Sequence, residues 1–263
     1  MYLRGDHAET DLRVLRQLVR ENPLGLFTTA ISSPSYPLIQ SSHIPFILDV
    51  EDESSETELG QLRAHMARAN PQSKAIIDEI KERQAAGDNS RTLQQDVLVM
   101  FTSAVQHYVT PKFYTATKPV TGKVVGTWNY AAVQVYGKAT FYIDPNAEET
   151  TAFLDKQIDA LSSFNERVTM GYTGEGSRPK AWQVSDAPTP YLNIMKKAII
   201  GVEIKIERME GKFKMSQEMG DGDTDGVVKG FNDLGTEAGS KMASTVEARR
   251  EIKKQKKASK ESE

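Results

Sequence analysis

No cysteine occurs anywhere in the 263 residues. That single absence excludes a disulfide framework, a zinc-thiolate site and a thiol nucleophile. Long apolar runs are missing as well: none approaches the roughly 20 residues that a helix needs to cross a bilayer, so no membrane partner is expected. There is no Asn-x-Ser/Thr sequon, and the opening MYLRGDHAETDLRVL is charged throughout rather than built like a secretory leader. These absences set the expectation of a cytoplasmic protein. Charge of one sign is also lacking in bulk, with 33 Lys and Arg against 36 Asp and Glu. A net charge of -3 exerts no global pull on nucleic acid, so any such role must come from a local patch. The chain has no G-x-S-x-G, no H-E-x-x-H and no G-x-x-x-x-G-K-[ST], and GEGSRP at 174 is not a dinucleotide fingerprint. Nothing here points to a Rossmann-type oxidoreductase.

What is present is largely periodic. Leu12, Leu15, Leu18 and Val19 fall at helical spacing, with Thr10 or Asp11 as a cap, and Asn22-Pro23 ends that helix. LGLFTTAI and SHIPFILDV read as strands around a Ser/Pro-rich turn at 32–37, and ELGQLRAHM reads as a third. Asn70-Pro71 supplies a polar cap and an N1 proline for a helix over PQSKAIIDEIKERQ. DVLVMFTS and AVQHYVT lie close together and suggest a hairpin, after a polar surface loop at 85–95.

The clearest strand is 131–143. Val133, Val135, Phe141 and Ile143 share one face, and Gln134, Tyr136, Lys138, Thr140 and Tyr142 share the other. Gly137 within it implies a bulge or a close backbone approach. A helix with Phe153, Leu154, Ile158 and Leu161 on one side follows Pro145, then a short helix at PTPYLNIMKKA, then the alternating strand IIGVEIKIERMEGKFKMS. About seven strands and four helices, mostly joined by short turns, predict an antiparallel α+β protein, a barrel with helices outside it.

Two local signals are weighed and set aside. DGDTDG at 221 matches the first half of a calcium loop, but its twelfth position is Asn232 where a bidentate Glu belongs, so an acidic first turn of a last helix explains it better. His43, His65 and His107 sit on predicted strands without short-range ligand spacing, and no metal is expected.

Eight segments stand in order along residues 1–230: NPLG at 22, SSHIPF at 41, HMARANPQ at 65, HYVTPKFY at 107, GKVVGTWNY at 122, VYGKATF at 135, WQVSDAP at 182 and IIGVEIKIERMEGKFKMSQ at 199. Together they resemble the PaiB-type family of FMN-binding split-barrel proteins, often labelled negative transcriptional regulators. EDESSETE, the loop at 85–95 and the basic tail depart from the compact form of that family. The resemblance implies a six-stranded antiparallel split β-barrel with flanking helices over residues 1–234, a homodimer, and FMN as cofactor, with haem as the alternative.

The resemblance carries the flavin site onto Ser42 and His43, onto His65, Met66, Ala67, Arg68 and Asn70, and onto Lys123, Thr127, Trp128, Asn129 and Tyr130. Their chemistry suits it. Arg68 offers a charge for the phosphate, Asn70 a donor, and the helix beginning at Pro71 its first N–H groups. Trp128, Asn129 and Tyr130 offer an indole face, an amide and a phenol to a flat ring. Plainer readings stay open at each: a solvated Arg68, an N-capping Asn70, and a Trp-Asn-Tyr corner that packs a dimer. No catalytic residue is assigned. The implied output is regulatory, and a flavin oxidoreductase or a haem-binding or haem-degrading split barrel is the alternative. No helix-turn-helix pattern supports DNA binding by the core.

From residue 235 the character changes. Residues 241–263 hold eight Lys or Arg against four Glu, a composition expected to give a disordered tail or a frayed helix. Basic clusters of this density serve as nuclear-import signals or loose nucleic-acid contacts, so a nuclear location is a second expectation.

Overall fold

Phe46 alone separates two strands, Ile39–Pro45 and Ile47–Asp49, that belong to opposite margins of one sheet. The computed structural model describes residues 1–261. Along them lie β1 (Ala8–Glu9), α1 (Leu12–Glu21), β2 (Leu24–Ala30), β3 (Ile39–Pro45), β4 (Ile47–Asp49), β5 (Gln61–Ala67), α2 (Pro71–Ala85), β6 (Val97–Thr102) and β7 (His107–Val109). There follow α3 (Thr117–Thr121), β8 (Thr127–Tyr142), α4 (Glu148–Phe164), α5 (Thr189–Lys197), β9 (Ile199–Lys214), α6 (Asp221–Asn232) and α7 (Glu237–Glu261). Contacts divide the chain into two compact units: a barrel unit of residues 23–101 and 135–209, and a second unit of residues 1–22, 102–134 and 210 onward.

In the barrel unit the strand order is β3-β2-β6-β8-β9-β5-β4. Laid flat, six gaps of about 4.8 Å would hold the margins roughly 29 Å apart. One residue reaches only about 3.5 Å. The sheet therefore curls until β3 runs into β4. Pro45 cannot donate to a ladder, and Phe46 N–H turns instead to Pro23 O at 2.9 Å. Counted as one strand broken at Phe46, β3 and β4 complete the six-stranded split barrel that the sequence implies. The β2–β3, β2–β6, β4–β5 and β5–β9 pairs are all antiparallel.

Period-two alternation fills the interior. Phe27, Phe46, Phe101 and Phe141 are buried there, with ring centroids 5.8 to 6.4 Å apart in edge or tilted contacts. Each such ring contributes about 1.5–3 kcal/mol by leaving water. Val133, Val135 and Phe141 of β8 are fully buried and Ile143 nearly so, as the alternation predicts. Gly137 is the close approach: a Cβ there would lie 2.0 Å from Lys205 O. Outside the barrel, Arg63 ties α4 to β4 and β5, donating to Gln157 Oε1 at 3.1 Å and to Asp49 Oδ1 at 2.9 Å.

In the second unit α1 buries Leu15, Leu18 and Val19, and Gly211 makes room for Leu15. The acidic start of α6 serves internal contacts. Asp223 Oδ1 accepts from Ala116 N at 2.8 Å and Thr117 N at 3.1 Å, and Asp225 pairs with Arg250. That is the first turn of a helix, as the missing calcium-loop Glu implies.

Three expectations are corrected. No hairpin joins β6 and β7; β7 pairs with β8 at His107↔Asn129, and Ser103 N–H bonds Ala131 O at 2.9 Å. Ser103-Ala104-Val105-Gln106 has no Gly, Pro, Asn or Asp to reverse the chain, and Ser103 Oγ only accepts from Val105 N at 3.0 Å. The apolar strand 131–143, expected from its sequence to help close the open side of a split barrel against a twin, lies instead as β8 between β6 and β9 with its apolar face covered within the chain. Residues of the charged tail form α7, with Met242, Ala243 and Val246 at most 2% exposed. Its last two residues, Ser262 and Glu263, lie outside the described residues.

Glu9 anchors that helix. Its carboxylate is 4% exposed and accepts from Arg249 Nη1 at 2.6 Å, from Thr10 N at 2.9 Å and from Asp11 N at 3.1 Å. Burial alone would raise its pKa, but the Arg249 hydrogen bond and charge, with the backbone donors, bring it below the ordinary value. A depressed carboxylate stabilises the fold above its unfolded pKa and loses that contribution as pH falls through the folded one. Urea midpoints should therefore hold at neutral pH and fall once the pH drops below about 4.3. Glu9→Gln should flatten that fall, and an unchanged profile in the variant would remove Glu9 from the account.

Candidate functional site

The twelve residues that the sequence nominates divide between the units, seven in the barrel unit and five in the second. In the barrel unit, Ser42 stands opposite Phe27 and so faces inward, whereas His43 stands opposite Leu26 and faces out. On β5, Met66 shares the buried face of Leu62 and Ala64, which leaves its side chain in the barrel core; Ala67 is exposed. His65 lies on the other face. Burial pushes its imidazole pKa down, and its Nδ1 is buried without a hydrogen-bond partner. Native interiors rarely leave such an atom unpaired.

Arg68 follows β5 directly, and its guanidinium is held from three sides. Nη2 donates to Ile143 O at 2.8 Å and Ile199 O at 3.2 Å, and Nε to Lys197 O at 3.2 Å. Burial lowers its pKa while the Asp144 charge opposes that, and the side chain stays a cation. Three of its five N–H groups are fixed, and the two on Nη1 remain for an external acceptor. Asn70 then caps α2: its Oδ1 accepts from Gln72 N at 2.9 Å, and its Nδ2 donates to Ser42 Oγ at 3.0 Å. Lys74 N–H is taken by Asn70 O at 3.0 Å. The first turn of α2 is thus largely satisfied from within, and the positioned Arg68 is the stronger attraction for an anion.

In the second unit, Asn129 is fully buried. Its Nδ2 donates to Ser216 Oγ at 2.9 Å, and that hydroxyl donates back to Oδ1 at 3.2 Å. Ser216 has φ 63°, the left-handed region that disfavours a side chain. Asn129 is therefore a clamp on a strained turn. Asn129→Ala should cost about 1–3 kcal/mol by leaving the buried hydroxyl unpaired. Urea unfolding measures this, and Asn129→Ala with Ser216→Gly should recover part of the loss; equal stability of the single variant and the wild type would contradict the clamp.

Trp128 is half exposed, with its ring 6.3 Å from Tyr108 in a tilted contact. Tyr130 carries Lys212 Nζ 5.6 Å from its ring centroid, and Lys123 is exposed on the preceding loop. Sequence reasoning missed Lys214, whose ammonium donates to Thr127 Oγ1 and to Trp128 O, the latter at 3.0 Å. Burial lowers its pKa, Glu218 opposes this, and Lys212 and Arg4 add to it. The signal was available in GKFKMSQ, where Lys212 and Lys214 alternate with Phe213 and so share one face of β9. The second unit thus presents an aromatic and cationic surface made of Trp128, Tyr130, Lys212 and Lys214. Among the described residues no cluster of three or more His, Cys, Asp or Glu could hold a metal ion, and no helix is long and apolar enough to cross a membrane.

Known proteins resemble this chain over most of its length. A protein of Emericella nidulans is 56% identical over 258 residues, covering 97% of this chain and all of that one. The protease synthase and sporulation protein PAI 2 of Bacillus subtilis is 26% identical over 259 residues, covering 97% of this chain and all of its own. Among solved structures, a flavocytochrome of Azotobacter vinelandii aligns with a TM-score of 0.42 at 13% identity, over 81% of this chain and 72% of that one. The family model described as "Putative FMN-binding domain" matches residues 1–208. With most of the chain covered by that model, and its barrel assembled as the eight segments imply, the chain belongs to the PaiB-type FMN-binding split-barrel family, whose cofactor is FMN.

Proposed function

We propose that this protein binds FMN as a homodimer and that its physiological output is regulatory. Arg68 and Asn70 of the barrel unit hold the flavin phosphate, and the surface of the second unit made by Trp128 and Tyr130, with Lys214 behind them, has by itself the chemistry that a flat ring takes. FMN when bound supplies a two-electron redox centre. The observation that carries the reading is Arg68: a guanidinium anchored on three carbonyls with two N–H groups unused, in a chain whose family binds a phosphate-bearing flavin. Ser42 supports Asn70 by accepting its Nδ2 hydrogen bond, and His65 lies on the outer face of β5. The absorption spectrum of the purified protein tests the reading, with maxima near those of oxidised flavin expected after FMN is added and gel-filtered.

The dimer is supported by α5. None of its residues is buried, and Tyr191, Ile194 and Met195 stand at i, i+3 and i+4, 44 to 67% exposed, with Trp182 also exposed in the same unit. A second copy covers that face. Light scattering should give about twice 29.2 kDa at micromolar concentration, and Ile194→Asp should shift it toward the single-chain mass. A wild-type mass of 29.2 kDa would contradict the dimer.

A second reading, a haem-binding or flavin oxidoreductase protein, rests on His65. Burial pushes its imidazole pKa down and so favours the neutral form, the one that ligates a metal. Haem and flavin absorb at different wavelengths, so the same spectrum separates the two. Regulation through direct DNA contact is tested by salt-dependent retention on DNA.

A further inference from the structure

The chain leaves α4 through a five-residue π turn, Asn165–Thr169, a rare backbone form that recurs at functional sites. The stretch that follows, MGYTGEGSRPK at 170, is fastened by its own backbone. Tyr172 N–H donates to Glu166 O at 2.8 Å, Arg178 N–H to Glu175 O at 3.1 Å and Gly174 N–H to Pro179 O at 2.9 Å. Folded this way, residues 168–172 with Arg178 and Pro179 line a cleft of about 430 Å³ that lies wholly within the barrel unit. That volume falls in the range of small-molecule sites.

The cleft carries two polar side chains that the protein does not use. Among the described residues the Arg178 guanidinium and the Tyr172 hydroxyl make no hydrogen bond and no ion pair. Gly171, at φ 70°, turns the chain beside the guanidinium, and a Cβ there would lie 3.8 Å from Arg178 Nη1. No carboxylate lines the cleft: Glu166 Oε2 accepts from Trp182 N–H at 3.0 Å, and Arg167, Glu175 and Lys180 are not among the lining residues. Among the described residues Arg178 is therefore its one charge. The remaining walls are apolar, with Val168 and Met170 66% and 54% exposed and Pro179 beside them. A planar fork of N–H donors matches the two oxygens of a carboxylate, and a single cation balances a single negative charge but only half of a phosphate dianion.

We propose that this cleft binds a small monocarboxylic acid, its carboxylate on Arg178 and Tyr172 and its apolar body against Val168, Met170 and Pro179. The proposal uses none of the residues assigned to the flavin.

Isothermal titration calorimetry of the full chain with benzoate, with and without saturating FMN, tests this. One saturable site per chain is expected in both conditions, with a dissociation constant below about a millimolar. Benzamide, which keeps the ring and lacks the charge, should bind at least tenfold more weakly, as should inorganic phosphate. Arg178→Gln should weaken benzoate at least tenfold, and Arg178→Lys, which keeps the charge without the fork, should recover part of the loss. Tyr172→Phe should weaken it several-fold. The Arg178 side chain is exposed and unpaired, so its variants should melt with the wild type. Four results would overturn the proposal: no saturable heat at millimolar benzoate, benzamide or phosphate binding as tightly as benzoate, binding that disappears when FMN is present, or full affinity in Arg178→Gln.

Discussion

Deleting residues 241–263 is expected to unfold the unit that contains α1, α6 and α7, although the deleted stretch is the most highly charged in the chain. The cut removes Met242 and Val246, each worth about 1.5–3 kcal/mol by its burial. It also strips Arg249 from Glu9, and breaking a buried pair by removing one partner costs about 3–5 kcal/mol. Both side chains of that pair are under 10% exposed, so solvent does little to soften the loss. The combined cost is comparable with the whole stability of an ordinary domain, roughly 5–15 kcal/mol. Circular dichroism melts should show an early transition or a loss of helix far larger than the deleted residues account for. A shorter cut, removing residues 255–263, takes away only exposed side chains and residues beyond them, and should leave the melt unchanged. If the long deletion melted like the wild type, α7 would not be docked as described.

Arg68→Ala should weaken FMN binding tenfold to hundredfold. One charge-assisted hydrogen bond to a phosphate is worth about 1.5–3 kcal/mol, which is that range of affinity. The substitution also takes donors from the carbonyls of Ile143, Lys197 and Ile199, so a loss of stability accompanies it. Arg68→Lys separates the two effects. It keeps the charge and loses the fork, so it should recover part of the affinity and little of the anchoring. Unchanged affinity in Arg68→Ala, measured on folded protein, would remove Arg68 from the phosphate site.

The barrel was legible because its strands obey a period of two with one face buried. β8 shows this most fully, and even the close approach at Gly137 follows from a glycine inside an alternating run. The docking of α7 was not legible. Its stripe holds few apolar residues among many charges, and its anchor, Glu9, lies 240 residues earlier in the chain. The hairpin expected between β6 and β7 failed for a local reason that could have been read: the four residues between them hold no Gly, Pro, Asn or Asp, and one Ser is a weak turn signal.

The resemblance nominates a set of residues, but where each of them stands in the fold was not legible. Arg68 is positioned by backbone carbonyls, and any residue carries a carbonyl, so no sequence pattern marks its partners. Met66 and Asn129 belong to motif segments, yet the structure turns one into the core and makes the other a clamp on Ser216. Lys214 was overlooked because a lysine in an alternating strand reads as a solvated position until its neighbours Thr127 and Trp128 are seen.

Titration of FMN with the full-length protein, followed by the quenching of flavin fluorescence, tests the central claim most directly. The account predicts saturable binding of one FMN per chain with a dissociation constant of about a micromolar or tighter, a free energy of roughly -8 kcal/mol or better. Flavin fluorescence that stays unquenched by an excess of folded wild-type protein would contradict it.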